Sequence, residues 1–356
     1  MTSTIPTEPI GSIPRPRELL QAVHDHAAGK TSLHTLEGAY DDAIRETIRQ
    51  FEATGSPIIT DGEQSKPSFA TYPVAGGRNI VESGGLVVTF SDRHVRALPK
   101  LTSGPFRYQQ YASDYVKKAR GFTSLPLKQA VISASLLSTL YPEKSVQGYS
   151  REAFTEDLIQ EVTKDISGSL RAGAEVVQVD FTEAPLARKL DPSGELLKEF
   201  VAINNEVFSR LKPGERERVG VHVCKGGDWD STHSGEVDYA EVLPEVFELK
   251  VPRFYFAIAG EADPDRTLKL LADYVEGRRK IFVGVTDPIS KEQETPEVVE
   301  RRVIKAAKLI DLKNLGTTDD CGFAPFGDDS STSRELAFAK IRARVEGTQR
   351  AEKRLR

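Results

Sequence analysis

The chain has 356 residues, 38% hydrophobic and 28% charged, a composition that suits a soluble globular protein with a substantial core. Its 48 Lys and Arg against 53 Asp and Glu give a net charge of −5, which gives no reason to expect a nucleic-acid partner, since phosphate binding needs a concentrated basic surface. No stretch approaches the run of about 18 apolar residues that a membrane-spanning helix requires, and two cysteines do not make a disulfide scaffold.

The opening MTSTIPTEPIGSIPRPRELL lacks a charged n-region followed by an apolar h-region, so no secretory signal is expected and the compartment reads as cytoplasmic. TEPIGS (7–12) is the first of eight short apolar or β-branched runs. His24, His26 and His34 follow in an early helical region and are expected to do no chemistry. YDDAIRETIRQFEAT has the spacing of an amphipathic helix and leads to the second run, SPIITDGE (56–63). From about 64 to 126 the chain is rich in Gly, Pro and aromatics without regular pattern. It reads as a long excursion with a hairpin at LVVTFSDRHVRALP, in which His94 is expected to be solvated.

The third and fourth runs, LKQAVISAS (127–135) and AEVVQVDF (174–181), flank the helical REAFTEDLIQEVTKDISGSLRAG. RVGVHVC (218–224) is the fifth, RFYFAIAG (253–260) the sixth, KIFVGVTD (280–287) the seventh and LGTTDDCG (315–322) the eighth. Between them lie the amphipathic stretches YAEVLPEVFELK, DPDRTLKLLADYVEGR and TPEVVERRVIKAAKLI. In the last, Thr295 is the expected N-cap with Pro296 at N1, and Gly173 and Gly277 stand where helix C-caps would sit. The basic end RVEGTQRAEKRLR reads as a solvated last helix turn and tail from about 346.

Strand candidates alternating with helices predict parallel βα units, and their nearly continuous apolar character predicts strands covered on both faces. Eight units predict one (β/α)8 TIM barrel over 1–356, with the 64–126 excursion over its C-terminal mouth. An open doubly wound sheet with an extra lobe is the alternative. The runs end in polar residues: Ser12, Asp61 with Glu63, Ser133, Asp180, His222 with Cys224, Asp287, and Asp319 with Asp320 and Cys321. In a barrel these ends converge on one face, so they describe a polar pocket.

His222 and Cys224, two apart in a strand, point to the same side. With Cys321 they form an H-x-C…C set, and zinc takes such ligands, commonly three with one position open. The competing reading is a buried apolar Cys224 beside a hydrogen-bonded core histidine; the second cysteine, in DDCG at another strand end, favours the metal. Glu63 is expected to face the mouth. Asp180 and Glu183, in DFTE, read either as a structural cap or as a substrate-binding pair, and His233 lies on a polar loop where a solvated ring is the default. No G-x-G-x-x-G opens a helix, and neither a Walker A nor a G-x-S-x-G elbow is present.

PIGSIPRP, TDGE, VQVDF, HVC and DDCG occur in one order that resembles the catalytic domain of cobalamin-independent methionine synthase, in the barrel superfamily shared with uroporphyrinogen decarboxylase. The resemblance runs from about residue 5 to 345. The longer strings IPTEPIGSIPRP, SPIITDGEQSKPSFATYP, GPFRYQQYASD, DFTEAPLA, CKGGDWDSTHS and TDDCGFAPF look most similar to epoxyalkane:coenzyme M transferase. The resemblance implies a Zn²⁺ held by His222, Cys224 and Cys321, with a substrate thiol in the open position and Ser12, Glu63 and Asp180 holding the amino-acid part of homocysteine.

A zinc-bound thiol loses its proton at neutral pH, and the thiolate attacks an alkyl electrophile. The implied activity is a zinc-dependent S-alkyltransferase of the epoxide-opening type; the alternative is methyl transfer to homocysteine or a related thiol. A metal-free decarboxylase or non-catalytic relative is disfavoured by the H-x-C…C set. A sulfonate-bearing thiol would need a cation, for which Arg15, Arg17, Lys66 and Lys225 are candidates, and an opened epoxide needs a proton donor, for which Tyr72 and His233 are candidates. Where the synthase pattern has a glutamate ligand at the end of strand six, RFYFAIAGEAD places Ala257 or Ile258, with Glu261 a few residues later. No counterpart of the full-length synthase's N-terminal half is expected, which weakens a folate donor. Expected partners are a small thiol and an alkyl donor or epoxide, with neither nucleic acid nor membrane; a homo-oligomer is compatible with the pattern.

Overall fold

Six of the eight runs pair side by side in a computed structural model that describes residues 5–356. Leu127–Ile132, Ala174–Asp180, Val219–Val223, Arg253–Phe256, Lys280–Thr286 and Leu315–Asp319 form one parallel sheet in chain order. Every residue of the first, third and sixth of these strands is buried, because helices cover the outside while side chains fill the inside. The first two runs are shorter than expected, reduced to single parallel bridges, Thr7 with Thr317 and Ile59 with Leu127. Pro9 and Pro57 remove ladder donors in those runs, and Pro6 does so just before the first. They lie at the two edges of the sheet and meet each other through Ile13 N–H on Gly62 O (3.0 Å) and Thr60 Oγ1 on Gly11 O (2.8 Å). The eight segments therefore run round an α/β barrel.

The N-terminal end of the barrel interior is charged, with its acidic and basic groups paired. Glu8 accepts from Arg253 at 2.8 Å and from the Tyr255 hydroxyl at 2.6 Å. Lys128 lies 3.5 Å from Glu8 and 3.5 Å above the Tyr255 ring, and burial holds its amine down to about 7. This layer plugs the barrel, leaving the opposite end open.

The excursion has more regular structure than its composition suggests. Val87–Thr89 pairs antiparallel with Val95–Ala97, the expected hairpin; Ile80–Val81 pairs with Lys100–Leu101, and Ala112–Arg120 is helical. Thr295 caps Pro296–Ala306 by accepting from Val298 N, as read. Gly173 follows Arg151–Arg171 with φ +108°, but Gly277 is not a cap, because its helix ends at Ala272. The basic C-terminus is helical to Leu355, with Arg350, Lys353, Arg354 and Arg356 exposed as expected, but one face of the helix is buried. Arg334–Leu355 is one helix whose Lys340, Arg344, Thr348 and Ala351 are buried. Arg344 reaches Asp319 at 2.9 Å and Lys340 reaches Glu294 at 2.8 Å, pairings no local pattern reveals.

Candidate functional site

His222 ends one strand facing inward and Cys224 follows it, while Cys321 lies two residues beyond Asp319 on another. The Cys224 and Cys321 sulfurs stand 3.6 Å apart, and all three ligand atoms fall within 4.8 Å of one another. His222 is buried, and neither Nδ1 nor Nε2 has a protein partner. Each such orphan costs about 1–3 kcal/mol, so this is no satisfied core histidine. The N-S-S donor set is of the kind zinc accepts. The Cys224 S–H pulls the Cys321 thiol well below its ordinary range; the same contact, with burial, pushes Cys224 up. Gly226 N–H also donates to the Cys224 sulfur at 3.3 Å.

These three residues line a cavity of about 220 Å³, with Ser12, Glu63, Asp180 and Glu183 on the same polar floor. Ser12 receives Phe323 N–H on its carbonyl at 2.9 Å and Ala324 N–H on Oγ at 3.3 Å. A Cβ on Gly322 would lie 2.1 Å from Ser12 Oγ, which explains the glycine after Cys321. Gly62 and Glu63 both take left-handed φ, +69° and +56°. That turn carries Glu63 back to the mouth; a non-glycine residue held there is strain of the kind found at functional sites. Lys66 Nζ holds its Oε1 at 2.9 Å.

Burial raises the carboxyls of Asp180 and Glu183 to about 7 each. Gln178 donates to Asp180 at 2.6 Å, and the Ser133 and Ser135 hydroxyls both donate to Glu183 Oε1, leaving Oε2 without a partner. Asn204, which carries no signal in the sequence, orients Ser135 through its amide at 2.7 Å. The rest of the polar strand ends turn away from the cavity. Asp61 receives Glu63 N–H, Asp319 pairs with Arg344, and Asp320 accepts Ile258, Ala259 and Gly260 N–H at 2.8, 2.9 and 2.7 Å. That last contact turns the chain at the end of the sixth run. Glu261 is directed to Lys225 at 2.8 Å, and among the described residues no carboxylate joins the His222, Cys224 and Cys321 group as a fourth donor.

The expected anion-binding cations are committed elsewhere. Arg15 donates to the carbonyls of Ala324, Phe326, Glu63 and Lys66, clamping two rim loops together. Lys66 is held by Glu63 and Ala130 O, Lys225 by Glu261, and Arg17 is exposed on an outer helix. Tyr72 is buried, its hydroxyl donated to Asp165, so it is not at the cavity. His233 is buried and lines it, and His94 stacks on Phe90 at 4.2 Å while bonding Asp92 and Asp228, so neither ring is the solvated side chain expected.

The excursion lies over the mouth, as expected, but the apolar character of its underside carries little signal in the sequence. Val88 and Phe90 of the hairpin, with Leu98, Leu186 and Phe326, give the cavity an apolar upper wall. Arg96 anchors the hairpin to Asp228 at 2.6 Å and Asp328 at 2.9 Å. The alternation of Val88 and Phe90 is the one signal in the sequence that points to an inward face.

Residues 5–346 match the family model described as cobalamin-independent synthase, catalytic domain. The chain is 24% identical over 347 residues to methionine synthase of Saccharolobus solfataricus, covering 97% of this chain and 94% of that one. Methionine synthase of Sulfurisphaera tokodaii is 24% identical over 355 residues, covering 97% and 91%. Among solved structures, a B12-independent methionine synthase from a Shewanella species, in complex with selenomethionine, superposes with TM-score 0.77 at 20% identity over 99% of both chains. A methyltransferase from Methanosarcina mazei gives TM-score 0.52 at 14% identity, covering 97% of this chain and 94% of that one. These likenesses show that the barrel is the fold.

Proposed function

The chain belongs to the cobalamin-independent methionine synthase catalytic-domain family, and from that premise we propose that it transfers a methyl group to the sulfur of a small thiol of the homocysteine type. The observation that carries this reading is the His222, Cys224 and Cys321 cluster, with both nitrogens of a buried imidazole lacking any protein partner. A zinc ion held there by these three residues would supply the charge that turns a substrate thiol into a thiolate at neutral pH. Everything else is done by the chain's own side chains. Ser12, Glu63 and Asp180 face the cavity where an amino acid's ammonium and carboxylate would lie, and Glu183 adds a second raised carboxyl beside Asp180. The roof of Val88, Phe90, Leu186 and Phe326 excludes water from the reacting carbon.

The epoxide-opening reading with a sulfonate-bearing thiol is the weaker one. Among the described residues lining the cavity, Arg96 is the one Lys or Arg side chain, and two aspartates already hold it. A neutral apolar position at Ala257 keeps a reactive alkyl donor compatible with the site, so an epoxide enters as a second electrophile to test rather than the preferred one.

The test is metal analysis followed by a thiol panel. Homocysteine methylation by zinc-loaded protein supports the reading. Turnover of a sulfonate thiol with an epoxide and not of homocysteine would replace it by the second reading, and pure protein that binds no metal would remove both.

A further inference from the structure

His233 lines the cavity and is used by neither the metal cluster nor the carboxylate floor. Its ring is fixed from several sides. The backbone N–H donates to Gly226 O at 3.1 Å, and the carbonyl accepts from Lys189 Nζ at 2.6 Å. The ring meets Phe90 of the hairpin edge-on, centroids 5.5 Å apart. Nδ1 lies 2.7 Å from the Ser234 hydroxyl.

Nε2 makes no hydrogen bond with the described residues, and a glycine is what admits the ring at the cavity wall. A Cβ on Gly226 would lie 1.7 Å from Nε2, so the imidazole rests directly on the glycine two residues after Cys224. It thus stands between the loop that carries a ligand sulfur and the apolar roof against which the alkyl donor would rest. Ser234 Oγ, buried and bonded to this ring alone among side chains, can donate to Nδ1 and hold the proton on Nε2. The charged groups around the ring are Lys189 on the helix Glu183–Leu190 and Glu236 on its own loop. Burial, then Lys189, holds the imidazolium down to about 4, which keeps the ring neutral at neutral pH.

We propose that His233 is a catalytic residue that, as a neutral imidazole, donates a hydrogen bond from Nε2–H to the leaving atom of the alkyl donor. This role rests on the methyl-transfer reading above. In the step, the substrate sulfur's electron pair forms the new S–C bond, and the C–X bond breaks with its pair passing to X. The charge growing on X is met by Nε2–H. The thiol's proton has gone to water, and X takes one back from water, so the sum is thiol plus R–X giving thioether plus HX. A neutral donor suits this task because it stabilises the developing anion without adding a fixed positive charge beside the metal.

Two measurements test it. Nitrogen-15 NMR of the metal-loaded protein is expected to show His233 as the neutral Nε2–H tautomer at pH 7, with Ser234→Ala weakening that preference; a Nδ1–H tautomer in the native protein overturns the role. Kinetically, His233→Phe is expected to lower kcat about a hundredfold with methyltetrahydrofolate, whose nitrogen leaves needing a proton, with metal content and the thiol KM unchanged. With trimethylsulfonium, which leaves as neutral dimethyl sulfide, the loss is expected to stay within about threefold. His233→Asn, which keeps one N–H, should recover part of the folate-dependent rate. Equal losses with both donors, or none with either, overturn the role. Wild-type protein that methylates no thiol from either donor sinks the functional reading and this role with it, whatever the tautomer.

Discussion

The sulfur of Cys224 lies 3.6 Å from that of Cys321, although 97 residues separate them. The two follow strands that have two others between them in the sheet, and only the curl of the barrel brings their ends together. His222 completes the group from the same strand as Cys224. Several consequences can be measured.

Cys321→Ser should leave the barrel folded and strip the metal. Zinc content is expected to fall from about one ion per chain to near zero, since a hydroxyl is a poor ligand where a thiolate is required. Plasma emission spectrometry on protein of unchanged far-ultraviolet circular dichroism checks this; full zinc content in the variant refutes the centre.

Glu63→Gln should act on substrate rather than on metal. Glu63 lies on the floor and carries the charge that Lys66 offsets, so losing it should raise the thiol KM about tenfold while zinc content stays near wild type. An unchanged KM removes Glu63 from substrate binding.

Glu183 should make the metal-free protein less stable as pH rises. Its carboxyl is raised from 4.5 to about 7 by burial, so between those values the folded chain binds more protons than the unfolded one. Stability is therefore highest below about 4.5, falls through the window up to about 7, and levels off above it, a change of about 3 kcal/mol from this group. Asp180 adds a slope of the same sign. Urea unfolding of Glu183→Gln at pH 5 and pH 8 should show a shallower loss than wild type; parallel slopes would mean that Glu183 is ionised in the fold.

Arg96→Ala should release the roof. The Asp228 side chain has 0% exposure and would lose its main counter-charge, leaving only His94 at 3.0 Å. The local cost is about 2 kcal/mol, expressed as opening of the hairpin rather than of the barrel. Amide exchange across 87–97 should accelerate tens of times while the six-stranded sheet keeps its protection. Acceleration spread evenly over the chain would contradict a hairpin latch.

The strand runs, the Thr295 cap and the three candidate metal donors were legible because each depends on neighbours within a few positions. Alternating apolar residues mark a strand, Thr295 before Pro296 marks a helix start, and H-x-C places two donors on one side of a strand. The hairpin at 87–97 was read for the same reason. The C-terminal helix was not. Its exposed Arg350, Lys353, Arg354 and Arg356 fit the solvated reading, but Arg344 and Lys340 look no different until Asp319 and Glu294 are seen to receive them. The cation candidates failed in the same way, because Arg15 finds four carbonyls from two loops more than 40 residues away along the chain. His233 was misjudged because the Phe90 and Lys189 that enclose it come from other elements.

The order of residues by itself determined which donors exist, on which strands they stand, and which family they mark. The tertiary structure alone decided which of them meet, which charges are already spent on a partner, and which carboxyls burial raises. The reason is physical: hydrogen-bond periodicity is written over a few residues, whereas desolvation and ion pairing depend on whatever distant segment folds against a side chain.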